Sequence, residues 1–394
     1  MLWFFLICTV PAFAVAWLST WLMRGLAPRW GLVDQPAARK VHATPVPLGG
    51  GVGVYFGIAG PLLLGLLIAW SYTGSHSVPD WIPAQIAQHF SGVQVRAPQL
   101  GSVLVAATVL MLIGLYDDRW GISWKARLAI QVLTASFLVT FGEVRATVFI
   151  SQPWVGMVLT GVWLVVLINA VNFLDNMDAL AGGIALIVSL MFAHIMLVAT
   201  GEPRWFVGAC LLIIAGATAG FLVHNRPPAK IFMGDAGSTV LGLLLGCFTV
   251  LGTFYDENAG SRHVMLAPLC ILAIPLFDVT SVVLIRLSRG RSPFHADRNH
   301  ISHRLVDLGL SKPHAVLTVH FLTLATGLGA LLLYHVDGWT GALLVVALIC
   351  SLFVVVTILE MTGREKALAR DAQTSIMPES GPESAEPATF SDEN

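Results

Sequence analysis

Long apolar runs alternate with short polar joints along this chain, and the runs set its architecture. Eleven stretches are apolar with few or no charges: 2–23, 47–71, 98–115, 126–141, 154–171, 180–200, 204–223, 236–254, 264–285, 315–335 and 339–359. A hydrocarbon core needs roughly 17–25 apolar residues of helix to be crossed, and backbone groups inside lipid are satisfied only in helices or closed barrels. The pattern therefore predicts an all-α, polytopic membrane bundle of about eleven transmembrane helices. The fourth run, at 16 residues, is marginal in length. The first run lacks a basic start and its first positive charge, Arg24, follows it, so it is expected to act as a span and not as a cleaved leader.

Composition agrees with lipid as the main solvent. Only 11% of the 394 residues are charged and 56% are hydrophobic, whereas a soluble domain carries about 25% charge. All five cysteines fall inside runs and none forms a CxxC pair, so neither a disulfide frame nor a thiolate metal site is expected. The net charge of −1 says nothing about partners, because the distribution of charge matters here and the sum does not; no nucleic-acid partner is expected. With eleven spans, the joints after runs 1, 3, 5, 7 and 9 and the C-terminal tail share one side and hold 18 Lys and Arg, against four on the other. That split places the first set in the cytoplasm, with the N-terminus outside and the C-terminus cytoplasmic. Residues 1–360 read as one integral-membrane domain and 361–394 as a cytoplasmic tail. From about Met377 the tail is acidic and rich in Pro and Ser, which predicts disorder.

Polar residues concentrate at a few joints. Residues 169–183, NAVNFLDNMDALAGG, place Asn172, Asp175 and Asp178 where two apolar runs meet water. Carboxylates beside lipid are costly and mark functional sites. Capping by Asn172 or Asp175 accounts for one polar residue, not three. At the end of the third run Asp117 and Asp118 are adjacent, repel each other and oppose their own helix dipole, so cation or substrate handling is the favoured reading over a solvated cap. The joint at 224–238 carries His224, Asn225, Arg226, Lys230 and Phe232 ahead of Asp235, which opens a run beside Gly234 and Gly237. A carboxylate at a helix N-terminus stays ionised and can hold a divalent cation.

Basic groups complete the set. Lys40 and His42 precede Gly49, Gly50 and Gly51, where exposed backbone N–H groups are expected to receive phosphate oxygens. Close helix packing at the glycines is the plainer alternative. The joint 286–314 holds five arginines with His295, His300 and His303. Two histidines without a third ligand make a weak zinc motif, and an anion site suits the arginines better. The opposite joint, with Trp81, Ile82, Ile86 and Phe90, reads as a short interfacial helix.

Every acidic or histidine cluster falls on the predicted cytoplasmic face, although Lys and Arg alone assigned the faces. One site is implied, holding Asp117, Asp118, Asp175, Asp178 and Asp235 with surrounding cations. Carboxylates in excess suit Mg²⁺, or Mn²⁺, and share such ions with phosphates. Basic groups around the metal suit phosphoryl transfer, and the membrane setting implies a lipid substrate.

In order along the chain, RKVHATPVPLGGG, the Asp117–Asp118 pair, NAVNFLDNMDALAGG, NRPPAKIFMGDAGS and SPFHADRNHISHRL resemble the polyprenyl-phosphate N-acetylhexosamine-1-phosphate transferases. The likeness is to the WecA/TagO-like branch, with MraY a more distant relative, and runs from about Arg39 to Leu308. It implies transfer of a sugar 1-phosphate, N-acetylglucosamine 1-phosphate by default, from a UDP-N-acetylhexosamine to undecaprenyl phosphate, with UMP released. It also implies an inner (plasma) membrane enzyme of envelope polysaccharide synthesis whose site faces the cytoplasm, and it allows a homodimer. By the same resemblance Asp235 is the Mg²⁺ ligand, joined by Asp175, while Asp117 and Asp118 are the catalytic pair. Asp175, Asn225 and Phe232 surround the uridine and Lys40 lies near the nucleotide. His300 and His303 belong to a loop that usually reads HxHH, in which this chain has Ser302 at the third position. Asp178, His300 and His303 join the candidate catalytic set, and His42, Asn172, Arg298 and Arg304 the substrate-binding set.

Three other classes share fragments of this pattern, and the Asp-rich NDxxDxxxD motif of a membrane prenyltransferase is only half matched by Asn172–Asp178. An intramembrane aspartyl protease pairs Tyr-Asp with Gly-x-Gly-Asp, but Phe232 stands where the first glycine belongs. A transporter or lipid flippase calls for broken helices and charge near the bilayer midplane, which the pattern does not clearly supply.

Overall fold

The computed structural model describes residues 1–35, 44–72, 88–146, 152–252, 262–292 and 299–376, with side chains as far as 361. Lys40, His42, His295, Arg298, the interfacial residues Trp81, Ile82 and Ile86, and the tail from 377 lie outside the described residues.

Each of the eleven apolar runs is helical. In chain order the helices are α1 (Leu2–Leu26), α2 (Gly50–Ser71), α3 (Phe90–Trp120), α4 (Trp124–Thr140), α5 (Pro153–Leu174), α6 (Leu180–His194), α7 (Trp205–Asn225), α8 (Asp235–Leu251), α9 (Ala267–Ile271), α10 (Ala273–Ser288), α11 (Ile301–Asp307), α12 (Lys312–Leu332) and α13 (Gly338–Ile376). Eight helices among the described residues are long and apolar enough to cross a membrane, and α9 with α10 makes a ninth if that pair, bent by 65°, is one span. The count falls short of eleven because α4 and α8 have only 17 residues each, and of these two only α8 is apolar enough to count as a short apolar helix. Between α1 and α2 a two-residue antiparallel ladder pairs Val33 with Pro47 and Asp34 with Val46.

Helix α8 is the axis of the bundle. It packs against α3 and α5, and also against α2, and every residue from Ala236 to Thr249 is buried. A helix enclosed on all sides must be apolar all round, which is why its run resembles a lipid-facing span yet is short. Close approach is what its glycines permit: a Cβ on Gly51 of α2 would overlap the backbone of Gly237. The Gly50 and Gly51 N–H groups donate to the Phe232 and Met233 carbonyls, both at 2.9 Å. They are therefore used inside the protein, and the packing account of these glycines fits better than phosphate capture. Four of the five cysteines are buried as free thiols; Cys350 is exposed.

Candidate active site

The site forms where α8 begins. Asp118, in the last turn of α3, accepts from the Asp235 N–H at 2.9 Å and from the Ala236 N–H at 3.4 Å. Unfavourable at the C-terminus of its own helix, the carboxylate sits instead at the N-terminus of another, where orphan N–H groups and the dipole favour it. Gly234 makes this possible, since its φ is +72° and a side chain there would strike the Asp118 carboxylate. Asp118 thus serves as a cap, though for a helix more than a hundred residues away.

Asp117 and Asp235 face a common cation. Arg127, in the first turn of α4, donates from one nitrogen to Asp117 Oδ2 at 3.0 Å and to Asp235 Oδ2 at 2.8 Å. The other Asp235 oxygen accepts from Asn172 Nδ2 at 2.8 Å, and the same amide donates to Ser238 Oγ at 2.9 Å. Asn172 lies in the last turn of α5, so three helices converge on the first turn of α8.

The joint 175–179 closes the site from the side. Asp175 takes a hydrogen bond from the Gly234 backbone, and its carboxyl is pushed up to about 7, first by burial and then by the Asp235 carboxylate, with the Gly234 bond opposing. Asp178 accepts from the Ala229 N–H at 2.9 Å. Asn225 accepts from the Ala179 N–H at 2.8 Å and donates to the Ile231 carbonyl at 2.9 Å. Its amide therefore ties the end of α7 to both neighbouring joints, and Ala179 takes a left-handed turn with φ +63°. Phe232 donates its N–H to the Pro47 carbonyl at 2.9 Å, which docks the ladder beside the site.

The histidine segment approaches from α10. Asp278, fully buried, accepts from the Ile301 N–H at 2.7 Å and faces His300 Nδ1 at 2.8 Å. Ser302 donates to Asn176 Oδ1 at 2.7 Å, and Arg304 donates to Ser281 Oγ at 2.9 Å while pairing with Glu360 at 3.2 Å. The Phe173 ring meets the His300 ring edge-on at 5.6 Å and carries Arg286 over its face at 5.3 Å. His303 is buried on α11.

A family model described as glycosyl transferase family 4 matches residues 100–253, from α3 through α8. Over 378 residues the chain is 33% identical to a decaprenyl-phosphate N-acetylglucosaminephosphotransferase of Mycolicibacterium smegmatis, covering 90% of this chain and 88% of that one. The chain belongs to glycosyl transferase family 4. It is also 32% identical over 341 residues to the undecaprenyl-phosphate alpha-N-acetylglucosaminyl 1-phosphate transferase of Escherichia coli, covering 81% of this chain and 80% of the relative.

As a family 4 glycosyl transferase the chain is a multi-pass membrane protein, and the matched segment contains the whole carboxylate cluster. Asp117, Asp118, Asn172, Asp175 and Asp235 come together at the start of α8. Asp178 and Asn225 bind backbone in the adjoining joints, and Arg304 is tied to α10 and α13. Sequence reasoning missed Arg127, Asp278, Asn176 and Glu360. The signal for Asp278 was present, a lone acid inside the ninth apolar run.

A divalent cation fits the chemistry of this donor set. The oxygens are hard, carry negative charge and suit Mg²⁺, and the Asp235 carboxylate adds to burial in displacing Asp175 upward. Among the described residues no three His, Cys, Asp or Glu side chains are already arranged around a metal position, and Arg127 provides the counter-charge between Asp117 and Asp235.

Proposed function

We propose that this family 4 glycosyl transferase moves N-acetylglucosamine 1-phosphate from its UDP-sugar to a polyprenyl phosphate, undecaprenyl phosphate by expectation, and releases UMP. The observation that carries the reading is the convergence of Asp117, Asp118, Asp175 and Asp235 on the first turn of α8, with Arg127 and Asn172 among them. The mycobacterial and Escherichia relatives are named as N-acetylglucosamine phosphate transferases acting on decaprenyl phosphate and undecaprenyl phosphate respectively. We further assign eleven membrane crossings, counting α4, α8 and the bent pair, with the site on the cytoplasmic face of the plasma membrane.

In the reaction an oxygen of the lipid phosphate attacks the β-phosphorus of the UDP-sugar. The bond from that phosphorus to the bridging oxygen breaks, and UMP leaves with the oxygen. Asp235 and Asp175 would hold Mg²⁺, with Asn172 orienting Asp235. The cation supplies charge neutralisation at the diphosphate. Asp118 fixes the N-terminus of α8 and so the position of Asp235. Arg127 is the exposed member of the cluster and offers a cation to incoming phosphate, while the Asp117 side chain beside it is nearly buried. A protease reading needs two aspartates sharing a proton. The protease motif also needs Gly-x-Gly-Asp, and Phe232 in place of its first glycine counts against that reading.

The test is UMP release by purified protein supplied with polyprenyl phosphate, Mg²⁺ and a panel of UDP-N-acetylhexosamines. Release that requires both lipid and UDP-N-acetylglucosamine supports the assignment. No release with any donor removes it.

A further inference from the structure

Asp278 is a carboxylate within α10, the second member of the bent pair, has no exposed surface, and takes no part in the transfer described above. A buried carboxylate is costly unless its oxygens are matched by donors. Both partners come from the histidine segment: the Ile301 N–H donates to Oδ1, and the His300 ring faces Oδ2 through Nδ1 at 2.8 Å. Ser281, one turn along the same helix, receives Arg304, and Asn176 in the joint beside Asp175 receives Ser302. The segment is therefore docked on Asp278, Ser281 and Asn176, and one of the two contacts at Asp278 is to a ring nitrogen. As a carboxylate Asp278 would accept and not donate, and the nitrogen it faces would then bear the proton. Nε2 of His300 has no hydrogen-bond partner among the described residues.

We infer that Asp278 is a positioning residue that holds His300 in the Nδ1-protonated form and leaves Nε2 free on the substrate side. The inference rests on the proposed transfer for its consequence in catalysis. His300 is one aromatic ring from the cluster: Phe173 meets it edge-on and follows Asn172, the partner of Asp235. Held this way, neutral Nε2 accepts a proton, and the protonated ring offers Nε2–H to a phosphate oxygen while the carboxylate stabilises the imidazolium.

Asp278→Asn separates docking from orientation. The amide oxygen still accepts the Ile301 N–H, but the amide nitrogen can only donate to Nδ1, which forces the proton to Nε2. The experiment uses the full chain in lipid nanodiscs with ¹⁵N-labelled histidine, read by long-range ¹H–¹⁵N correlation, with His300→Gln identifying the His300 signals. The expected result is an Nδ1–H ring in the natural protein and an Nε2–H ring in Asp278→Asn. With it, kcat for UMP release falls by about a hundredfold or more, while KM for the UDP-sugar stays within about threefold. An Nε2–H ring in the natural protein overturns the inference and needs no variant to fold. An unchanged tautomer in Asp278→Asn, or kcat within about threefold of the natural value, also overturns it. The tautomer is read without substrate, so failure to release UMP would sink the proposed transfer and leave the orientation of His300 standing.

Discussion

Arg127 lies 2.8 Å from Asp235, and the same nitrogen lies 3.0 Å from Asp117. A guanidinium and a divalent cation are alternative counter-charges for these oxygens, so each should weaken the need for the other. Arg127→Gln is expected to lower the thermal midpoint of the metal-free protein modestly. The side chain is 40% exposed, and a partly solvated pair contributes about 1 kcal/mol or less. Added Mg²⁺ should stabilise the variant more than the natural protein. Equal Mg²⁺ shifts in both would show that Arg127 and the metal do not share these carboxylates.

Asp235 joins the cluster through three contacts: Arg127, Asn172 and the cap from Asp118. Asp235→Asn keeps the backbone N–H that Asp118 receives, so α8 should still be capped and the chain should insert in membranes. The charge is lost, however, and UMP release should fall by about a thousandfold or more if Asp235 neutralises a metal at the diphosphate. Membrane extraction together with a turnover assay checks both parts. Full activity would remove the metal assignment.

The apolar runs and the acidic joints were legible because each is a local pattern: run length fixes helices, and an acid beside lipid stands out against its surroundings. Asp117, Asp175 and Asp235 could be grouped because charge counting assigned their joints to one face. Partnerships were not legible. Arg127 and Asp235 are 108 residues apart, and Arg127 looked like a topology signal at the head of a short run. The capping role of Asp118 was hidden because the helix it caps is α8 and not its own. Asn225 looked like a substrate ligand, yet both ends of its amide bind backbone, an outcome set by how α7 meets the joints.

Asp175 gives the site a pH dependence of definite sign. In the metal-free protein its carboxyl is raised from 3.8 to about 7 by burial and by Asp235. Folding then favours the protonated form, so this contribution to stability is complete below 3.8 and is lost as pH rises through about 7. A cation prefers the carboxylate, so Mg²⁺ affinity should fall about tenfold per pH unit below 7 and level off above it. Titration of the thermal midpoint with Mg²⁺ at pH 6, 7 and 8 measures both trends. Asp175→Asn should flatten them; a slope that survives in that variant belongs to another group.

Arg304 and Glu360 form an ion pair at 3.2 Å with side chains only 10% and 8% exposed. Removing one partner of a buried pair leaves the other charge uncompensated, at a cost of about 3–5 kcal/mol. Glu360→Ala should therefore loosen α11 from α13 and lower thermal stability well beyond the effect of Arg127→Gln. Exchanging both for Leu and Met should recover most of the loss. Failure of the double exchange to recover stability would mean that Arg304 is held for its contact with Ser281 or for phosphate, and not for the pair.

The carboxylates also bear on whether transfer passes through the enzyme. A covalent aspartyl phosphate would require Asp117 or Asp118 as nucleophile, but both Asp118 oxygens accept from the first N–H groups of α8. Asp117 is engaged by the Ile122 N–H and by Arg127. Donors on every oxygen lower nucleophilicity, and removing Asp118 would uncap the helix that carries Asp235. Direct attack by the lipid phosphate is thus the expected route. Labelled UMP should not exchange into UDP-N-acetylglucosamine in the absence of lipid phosphate, and should do so once lipid is present. Exchange without lipid, abolished by Asp117→Asn, would establish the two-step route and assign Asp117 as its nucleophile.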